Sequence, residues 1–115
     1  HADYFLSDVP IARQLHRNEL DEYEKNLGQS VVDHYQKYKI NPLNIPAILL
    51  PGHGVMVFSN SVKRTLECAI VLEEIAEMAY YTIKINPSLE MSDLSEILYE
   101  KHFERKNGIN KYYGQ

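Results

Sequence analysis

The amino-acid sequence predicts an α/β protein, because segments with helical periodicity flank two short apolar runs that suit strands. The first run, 47–50, and the second, 55–58, are joined by the glycine-containing turn 51–54. Two apolar runs separated by such a turn are typical of a β-hairpin. Apolar residues at helical spacing precede the hairpin over about 19–38 and follow it over 62–85.

The N-terminal part of the chain combines a loop with the first helix. Residues 1–16 mix short apolar runs with polar breaks, which predicts a loop and an edge strand. Asn18 is the predicted N-cap of the following helix, because acidic residues occupy the next turn, where the helix dipole favours them. The helix then extends to about Tyr38, and Pro42 prevents its continuation.

Two further helices follow the hairpin. The longer one begins after Ser61, spans 62–85 and stops before Pro87. Its apolar residues cover most of its circumference, so we expect it to be buried in an assembly larger than 115 residues provide. The last helix is predicted to run from Ser92 to Lys106 and to close at the following Asn-Gly pair.

Composition and charge exclude several classes of function. Hydrophobic content is 44% and charged content 24%, which fits an ordered globular protein. The net charge of −4 argues against nucleic-acid binding, which needs a basic face. The single cysteine, Cys68, excludes an internal disulfide, and no apolar run is long enough to span a membrane. With no recognisable signal peptide, we expect a cytoplasmic protein without a nucleic-acid or membrane partner.

The five histidines form no complete metal-binding motif such as H-x-H or H-E-x-x-H. His53 is the best single ligand candidate, because flanking glycines expose its imidazole at the end of a predicted strand. A turn histidine that is hydrogen-bonded to the backbone would show the same pattern. The residues alone leave both interpretations of His53 open.

Four residues near the two ends of the chain could also carry chemistry. His102 lies on the apolar face of the last helix, which favours a core histidine. Arg105 shares that face, so the pair could bind a phosphate or simply complement the helix dipole. Asp3, set among aromatic residues, is either a turn residue or an acid/base group. Tyr113 belongs to an aromatic pair that we expect to dock, either for packing or for catalysis.

Four segments resemble the sugar-phosphate epimerases of the class II aldolase/adducin family. They are HADYF, ILLPGHGVMVFS, AIVLEEIAEMA and KHFERKNGINKYYGQ. The G-H-G turn and the helix after it resemble the family's aldolases as well, whereas the first and last segments are similar to the epimerases in particular. The match covers residues 1–115, which the resemblance identifies as the C-terminal portion of a single domain whose N-terminal half is absent from this chain.

The resemblance implies a zinc enzyme with a three-layer α/β/α sandwich, assembled as a homotetramer with active sites between subunits. It implies a phosphorylated pentulose substrate and the interconversion of L-ribulose 5-phosphate and D-xylulose 5-phosphate by retro-aldol and aldol steps. His53 is then one zinc ligand, and Asp3 and Tyr113 are the acid/base pair. His102 is a further catalytic residue on the same side of the active site between subunits, and Arg105 binds the substrate phosphate.

The resemblance also identifies what this chain lacks. The family's H-x-H ligand pair, a further acidic zinc-site residue and a Gly/Ser phosphate loop would all lie upstream of HADYF. Because catalytic zinc needs about three protein ligands, we expect the chain alone to be inactive. Two alternatives stay open, namely a family aldolase that releases its products and a non-catalytic, adducin-like interaction module.

Overall fold

The computed structural model describes residues 3–88 and 96–109, apart from the side chains of Glu96 and Tyr99. Within these ranges the helices and strands are a 3₁₀ helix (Arg17–Glu22), α1 (Tyr23–Lys37), β1 (Ala47–Leu50), β2 (Gly54–Val57), α2 (Val62–Ile85) and α3 (Glu96–Asn107). This mixture of helices and strands agrees with the predicted α/β class. The predicted helix start at Ser92 lies outside the described residues.

β1 and β2 form the antiparallel hairpin that the two apolar runs predict. Its outermost pair joins Ala47 to Val57, and β1 is largely buried whereas β2 is mostly exposed. Gly52 and Gly54 have φ angles of +73° and +142°, a region that strains any residue with a side chain. The two glycines therefore permit the turn that carries His53.

The N-terminal segment runs parallel to β1 along the edge that β2 leaves open. The backbone N–H of Leu6 donates to the carbonyl of Asn44 at 3.0 Å, and that of Ala12 donates to Leu49 at 2.9 Å. Ile11 and Leu49 form an isolated parallel bridge. The predicted edge strand is therefore present as a single bridge, and the segment passes along β1 from its start to its end.

Alternate side chains of β1 enter two apolar clusters, because successive residues of a strand point to opposite faces. Ile48 and Leu50 pack with side chains of α1 in the first cluster. Ala47 packs with Phe5 and with Cys68 of α2 in the second. β1 is thus packed between α1 on one face and α2 on the other.

The first helix begins differently from the prediction. It is preceded by the 3₁₀ helix, whose N-cap position is His16, so the prediction of Asn18 as the cap is wrong. The carboxylate of Glu19 accepts the backbone N–H of His16 at 2.8 Å and two hydrogen bonds from Arg13 at 2.8 and 2.7 Å. The side chain of Glu19 therefore caps the first turn at His16, two residues before the predicted position, and Arg13 pairs with the same carboxylate.

α2 has the predicted bounds but exposes much of its apolar surface. Cys68 and Leu72 are its buried residues, whereas Val62 is 88% exposed and Ile85 is 84% exposed. The expected burial of α2 in a larger assembly therefore stays a prediction. No helix within the described ranges is long and apolar enough to cross a membrane.

Tyr35 connects α1 to the chain that leads into β1. Its buried hydroxyl shares its one proton between the carbonyls of Ile45 at 2.7 Å and Ala47 at 2.9 Å, and burial raises its pKa to about 12. Tyr35→Phe removes both hydrogen bonds, so we expect the free energy of unfolding to fall by about 1–3 kcal/mol in a denaturant titration. The exposed control Tyr38→Phe should change it by less than about 0.5 kcal/mol, and equal losses would contradict the assignment.

The ion pair of Arg13 and Glu19 makes stability depend on pH. Hydrogen bonds from Arg13 lower the pKa of Glu19 from 4.5 to about 2. A carboxyl group whose folded pKa is lowered stabilises the fold above its unfolded pKa, and this contribution is lost as pH falls from 4.5 towards about 2. Glu19→Gln should therefore lower Tm at pH 7 and flatten its decline in acid. The matched control Glu24→Gln should leave the acid limb unchanged; an equal effect of both variants would contradict the prediction.

Candidate functional site

α3 brings two basic side chains to the N-terminal segment. Nδ1 of His102 lies 3.9 Å from Oδ1 of Asp3, and Nη2 of Arg105 lies 3.5 Å from the same oxygen. The two basic residues are three positions apart, so they share one face of the helix, as the sequence predicts. Three of the predicted site residues thus meet in one group, which we call the Asp3 cluster (Asp3, His102 and Arg105).

The carboxylate of Asp3 is charge-compensated, but one of its oxygens accepts no hydrogen bond from the described residues. Its side chain is 15% exposed, and the guanidinium of Arg105 offsets the free energy of burying the charge. Oδ1 is buried and accepts no hydrogen bond from the residues that the structure describes. A buried acceptor normally has a donor, so Oδ1 is an acceptor that the described residues cover but leave without a hydrogen bond.

Asn107, the last residue of α3, holds the backbone of Asp3. Its Nδ2 donates to the carbonyl of Asp3 at 2.9 Å and to that of Phe103 at 3.1 Å. Its Oδ1 accepts a hydrogen bond from Nη2 of Arg64 at 3.1 Å. One amide therefore joins the N-terminal segment, α2 and α3.

The ring of Tyr4 adds a second connection among the same three elements. The guanidinium of Arg64 lies 4.5 Å from the ring centroid, and the ammonium of Lys106 lies 3.7 Å from it. Cations within about 6 Å of an aromatic centroid are attracted to the ring. Both cations come from helices, so these contacts hold the residue next to Asp3 against α2 and α3.

His53 lies at the opposite end of the hairpin from the Asp3 cluster. Its backbone N–H donates to Leu50 at 3.0 Å, and its Nδ1 is 2.8 Å from the hydroxyl of Tyr23, the first residue of α1. The chain before Leu6 lies beyond the start of β1, whereas His53 follows the end of β1. β1 is four residues long, so the strand that lies between them spans about 10–13 Å. The structure therefore does not bring His53 to Asp3.

The described residues offer one compatible metal ligand and not a complete metal site. When Nδ1 of His53 carries the proton and donates it to the hydroxyl of Tyr23, Nε2 keeps its lone pair for a metal ion, an arrangement common among ligating histidines. Among the residues that the structure describes, no three His, Cys, Asp or Glu side chains are grouped as a metal ion would require. Because catalytic zinc needs about three protein ligands, these residues do not hold it by themselves.

Tyr23 and Asn107 are site contacts that sequence reasoning missed. Tyr23 is 30 positions from His53, and Asn107 is 104 positions from Asp3, so no local spacing rule links either pair. Helical periodicity assigns Tyr23 to the apolar face of α1, and the Asn-Gly pair assigns Asn107 to the end of α3. Tyr113 lies outside the described residues, so its role stays a prediction.

Comparison with known proteins identifies the family of this chain. Residues 1–80 match the family described as Class II Aldolase and Adducin N-terminal domain. The chain therefore belongs to the class II aldolase and adducin family, as the resemblance predicts.

Several curated proteins are similar to this chain over its whole length. They include the proteins named L-ribulose-5-phosphate 4-epimerase UlaF from Salmonella paratyphi C, Salmonella choleraesuis and Salmonella typhi. Each is 39% identical over 116 aligned residues, which cover 100% of this chain and 49% of the relative. The chain thus spans about half the length of the curated relatives it matches.

Gly108 lets α3 end directly after Asn107. Its N–H donates to the carbonyl of Glu104 at 2.8 Å, and a Cβ at this position would lie 2.6 Å from that oxygen. Gly108→Ala should therefore lower the free energy of unfolding by more than about 1 kcal/mol. At Gly28 in α1 a Cβ meets nothing within 4 Å, so Gly28→Ala should raise it by about 0.5–1 kcal/mol. Denaturant titration of both variants checks this, and effects of the same sign would contradict it.

Proposed function

We propose that this chain is part of a sugar-phosphate epimerase that interconverts L-ribulose 5-phosphate and D-xylulose 5-phosphate. The observation that carries the proposal is the Asp3 cluster, in which two basic side chains face a carboxylate whose Oδ1 accepts no hydrogen bond from the described residues. The names of relatives at 39% identity support the choice of reaction. The proposal includes the assignment of residues 1–115 to the C-terminal portion of a three-layer α/β/α domain.

The reaction requires a carbon–carbon bond to break and re-form. The carbon to be inverted, C4, carries no acidic proton, so deprotonation at that carbon does not provide a route. Cleavage of the C3–C4 bond yields an aldehyde whose opposite face can then be attacked. A zinc ion, for which His53 would be one ligand, would supply Lewis-acid stabilisation of the negative charge on the remaining fragment. A proton must leave the C4 oxygen during cleavage and return to it during re-addition.

Asp3 and Tyr113 are the proposed groups that exchange this proton from the two sides of the aldehyde. The acceptor at Oδ1 of Asp3, which the described residues leave without a hydrogen bond, supports its part, since a hydroxyl donor would satisfy that atom if the assembled site exposes it. A tyrosine has an ordinary pKa of about 10, so Tyr113 would need a nearby cation to act as a base at neutral pH. Two acid/base groups of different type would allow the same proton to be handled on either face.

Arg105 is the proposed ligand of the substrate phosphate, and His102 lies on the same face of α3 within the Asp3 cluster. A guanidinium matches phosphate oxygens with two parallel hydrogen bonds. The side chain of Arg105 is 29% exposed and that of His102 is 42% exposed, so an anion can reach both. Since Arg105 also faces Asp3, phosphate binding and the charge of the carboxylate would influence each other.

The Asp3 cluster and His53 are proposed to serve different active sites. They lie at opposite ends of the hairpin, with the four-residue strand β1 between them. In a symmetric homotetramer each site could combine His53 of one subunit with the Asp3 cluster of its neighbour. This arrangement explains why one chain holds catalytic groups that its own candidate metal ligand cannot use.

A class II sugar-phosphate aldolase is the second candidate, because the G-H-G turn at His53 is similar in the family's aldolases. A non-catalytic interaction module is the third, and the exposed apolar surface of α2 is the observation that favours it. The reaction products separate the first two candidates: release of free glycolaldehyde phosphate indicates an aldolase, and equilibration of the two pentulose phosphates indicates an epimerase.

The proposal is tested by combining this chain with the part of the Salmonella typhi relative that it does not cover. The two are mixed or fused, loaded with zinc and assayed for interconversion of the pentulose phosphates. We expect activity from the combination and none from the chain alone. Equal activity after removal of the metal would contradict the proposal.

The same assay tests the acid/base pair. Tyr113→Phe should lower kcat by about 10²–10⁴-fold, because it removes the ionisable hydroxyl, while the zinc content stays unchanged. The matched control Tyr112→Phe should keep kcat within about threefold of the unmodified enzyme. An unchanged kcat in Tyr113→Phe would exclude Tyr113 from the mechanism.

A further inference from the structure

We infer that Asn107 is a positioning residue for Asp3, and that Arg64 orients it for this task. The inference rests on the proposed acid/base role of Asp3 and extends it to two residues that touch no reacting atom. Its basis is a continuous path of hydrogen bonds from Arg64 through the amide of Asn107 to the backbone of Asp3.

Asn107 shares one helix with the basic members of the Asp3 cluster. His102 and Arg105 lie on α3, and Asn107 is the last residue of the same helix. A helix is a rigid body over this length, so the bond from Nδ2 of Asn107 to the Asp3 carbonyl fixes Asp3 relative to both basic side chains. The distances of 3.5 and 3.9 Å within the cluster therefore depend on this bond.

Arg64 determines which way the amide of Asn107 points. Its Nη2 donates to Oδ1 of Asn107 at 3.1 Å, which leaves Nδ2 directed at the carbonyls of Asp3 and Phe103. A flipped amide would place two donors against each other at Arg64 and an acceptor against two carbonyls. Arg64 is itself held by Glu67 at 3.5 Å and by the ring of Tyr4.

An amide is the group that this position requires. Aspartate at 107 would keep the acceptor for Arg64 but would lose the donor to Asp3, and alanine would lose both. Neither change removes a group that is proposed to contact the substrate or the metal. A lower kcat in these variants would therefore indicate that the Asp3 carboxylate has moved. A displacement of a catalytic group by about 1 Å can lower kcat by about 10²-fold.

The test is a double-mutant cycle on kcat in the zinc-loaded combination of this chain and its complementary half. Asn107→Ala should lower kcat by about tenfold or more with unchanged zinc content. In an Asp3→Asn background the same change should alter kcat by less than about twofold, because its effect passes through the carboxylate. Asn86→Ala, the matched asparagine after the other helix α2, should leave kcat unchanged in both backgrounds.

The outcomes separate this inference from the proposed function. A wild-type kcat in Asn107→Ala, or an equal loss in both backgrounds, would overturn the positioning role while the proposed function stands. A wild-type kcat in Asp3→Asn would overturn the role of Asp3 and this inference with it. If Asn107→Ala fails to fold, Asn107→Asp, which keeps the bond from Arg64, provides the same cycle with the same expected result.

Discussion

The pairing of the N-terminal segment with β1 is the constraint on which the rest of the arrangement depends. Both backbone groups of Leu49 are used by it, since its N–H donates to Pro10 and its carbonyl accepts from Ala12, each at 2.9 Å. Buried backbone groups must be paired, and here the segment pairs both groups of Leu49 in the parallel direction. That direction leaves Asp3 beyond one end of the strand and His53 beyond the other. The proposed sharing of active sites between subunits follows from this separation.

Stability and site geometry come from different kinds of contact. The two apolar clusters around β1 hold the hairpin between α1 and α2 by burial. The Asp3 cluster is held instead by the amide of Asn107, the cation–π contacts of Tyr4 and a charge pair, all near the surface. Such contacts contribute modestly to stability but fix direction and distance. For a group of residues proposed to act in a neighbouring subunit's active site, fixed geometry matters more than a large contribution to stability.

Local elements were predictable from the sequence, and contacts between distant residues were not. Apolar periodicity with glycine and proline punctuation gives the bounds of the hairpin and of α2, because these depend on neighbouring residues. The prediction of Asn18 as a cap failed because Glu19 accepts the N–H of His16 and so caps the turn two residues earlier. The grouping of Asp3 with α3 came from family resemblance, since no spacing rule spans most of the chain. The link through Asn107 was visible only in three dimensions.

The claim that the Asp3 cluster serves a neighbouring subunit's metal is tested most directly by mixing two inactive variants of the complete assembly. Asp3→Asn removes the carboxylate of the Asp3 cluster and leaves the proposed metal ligand intact. His53→Asn removes the proposed metal ligand and leaves the Asp3 cluster intact. If the sites are shared, mixed oligomers should regain activity at the sites that pair intact halves, roughly a quarter of all sites on random mixing. If both residues serve one site within a subunit, the mixture would stay as inactive as its components.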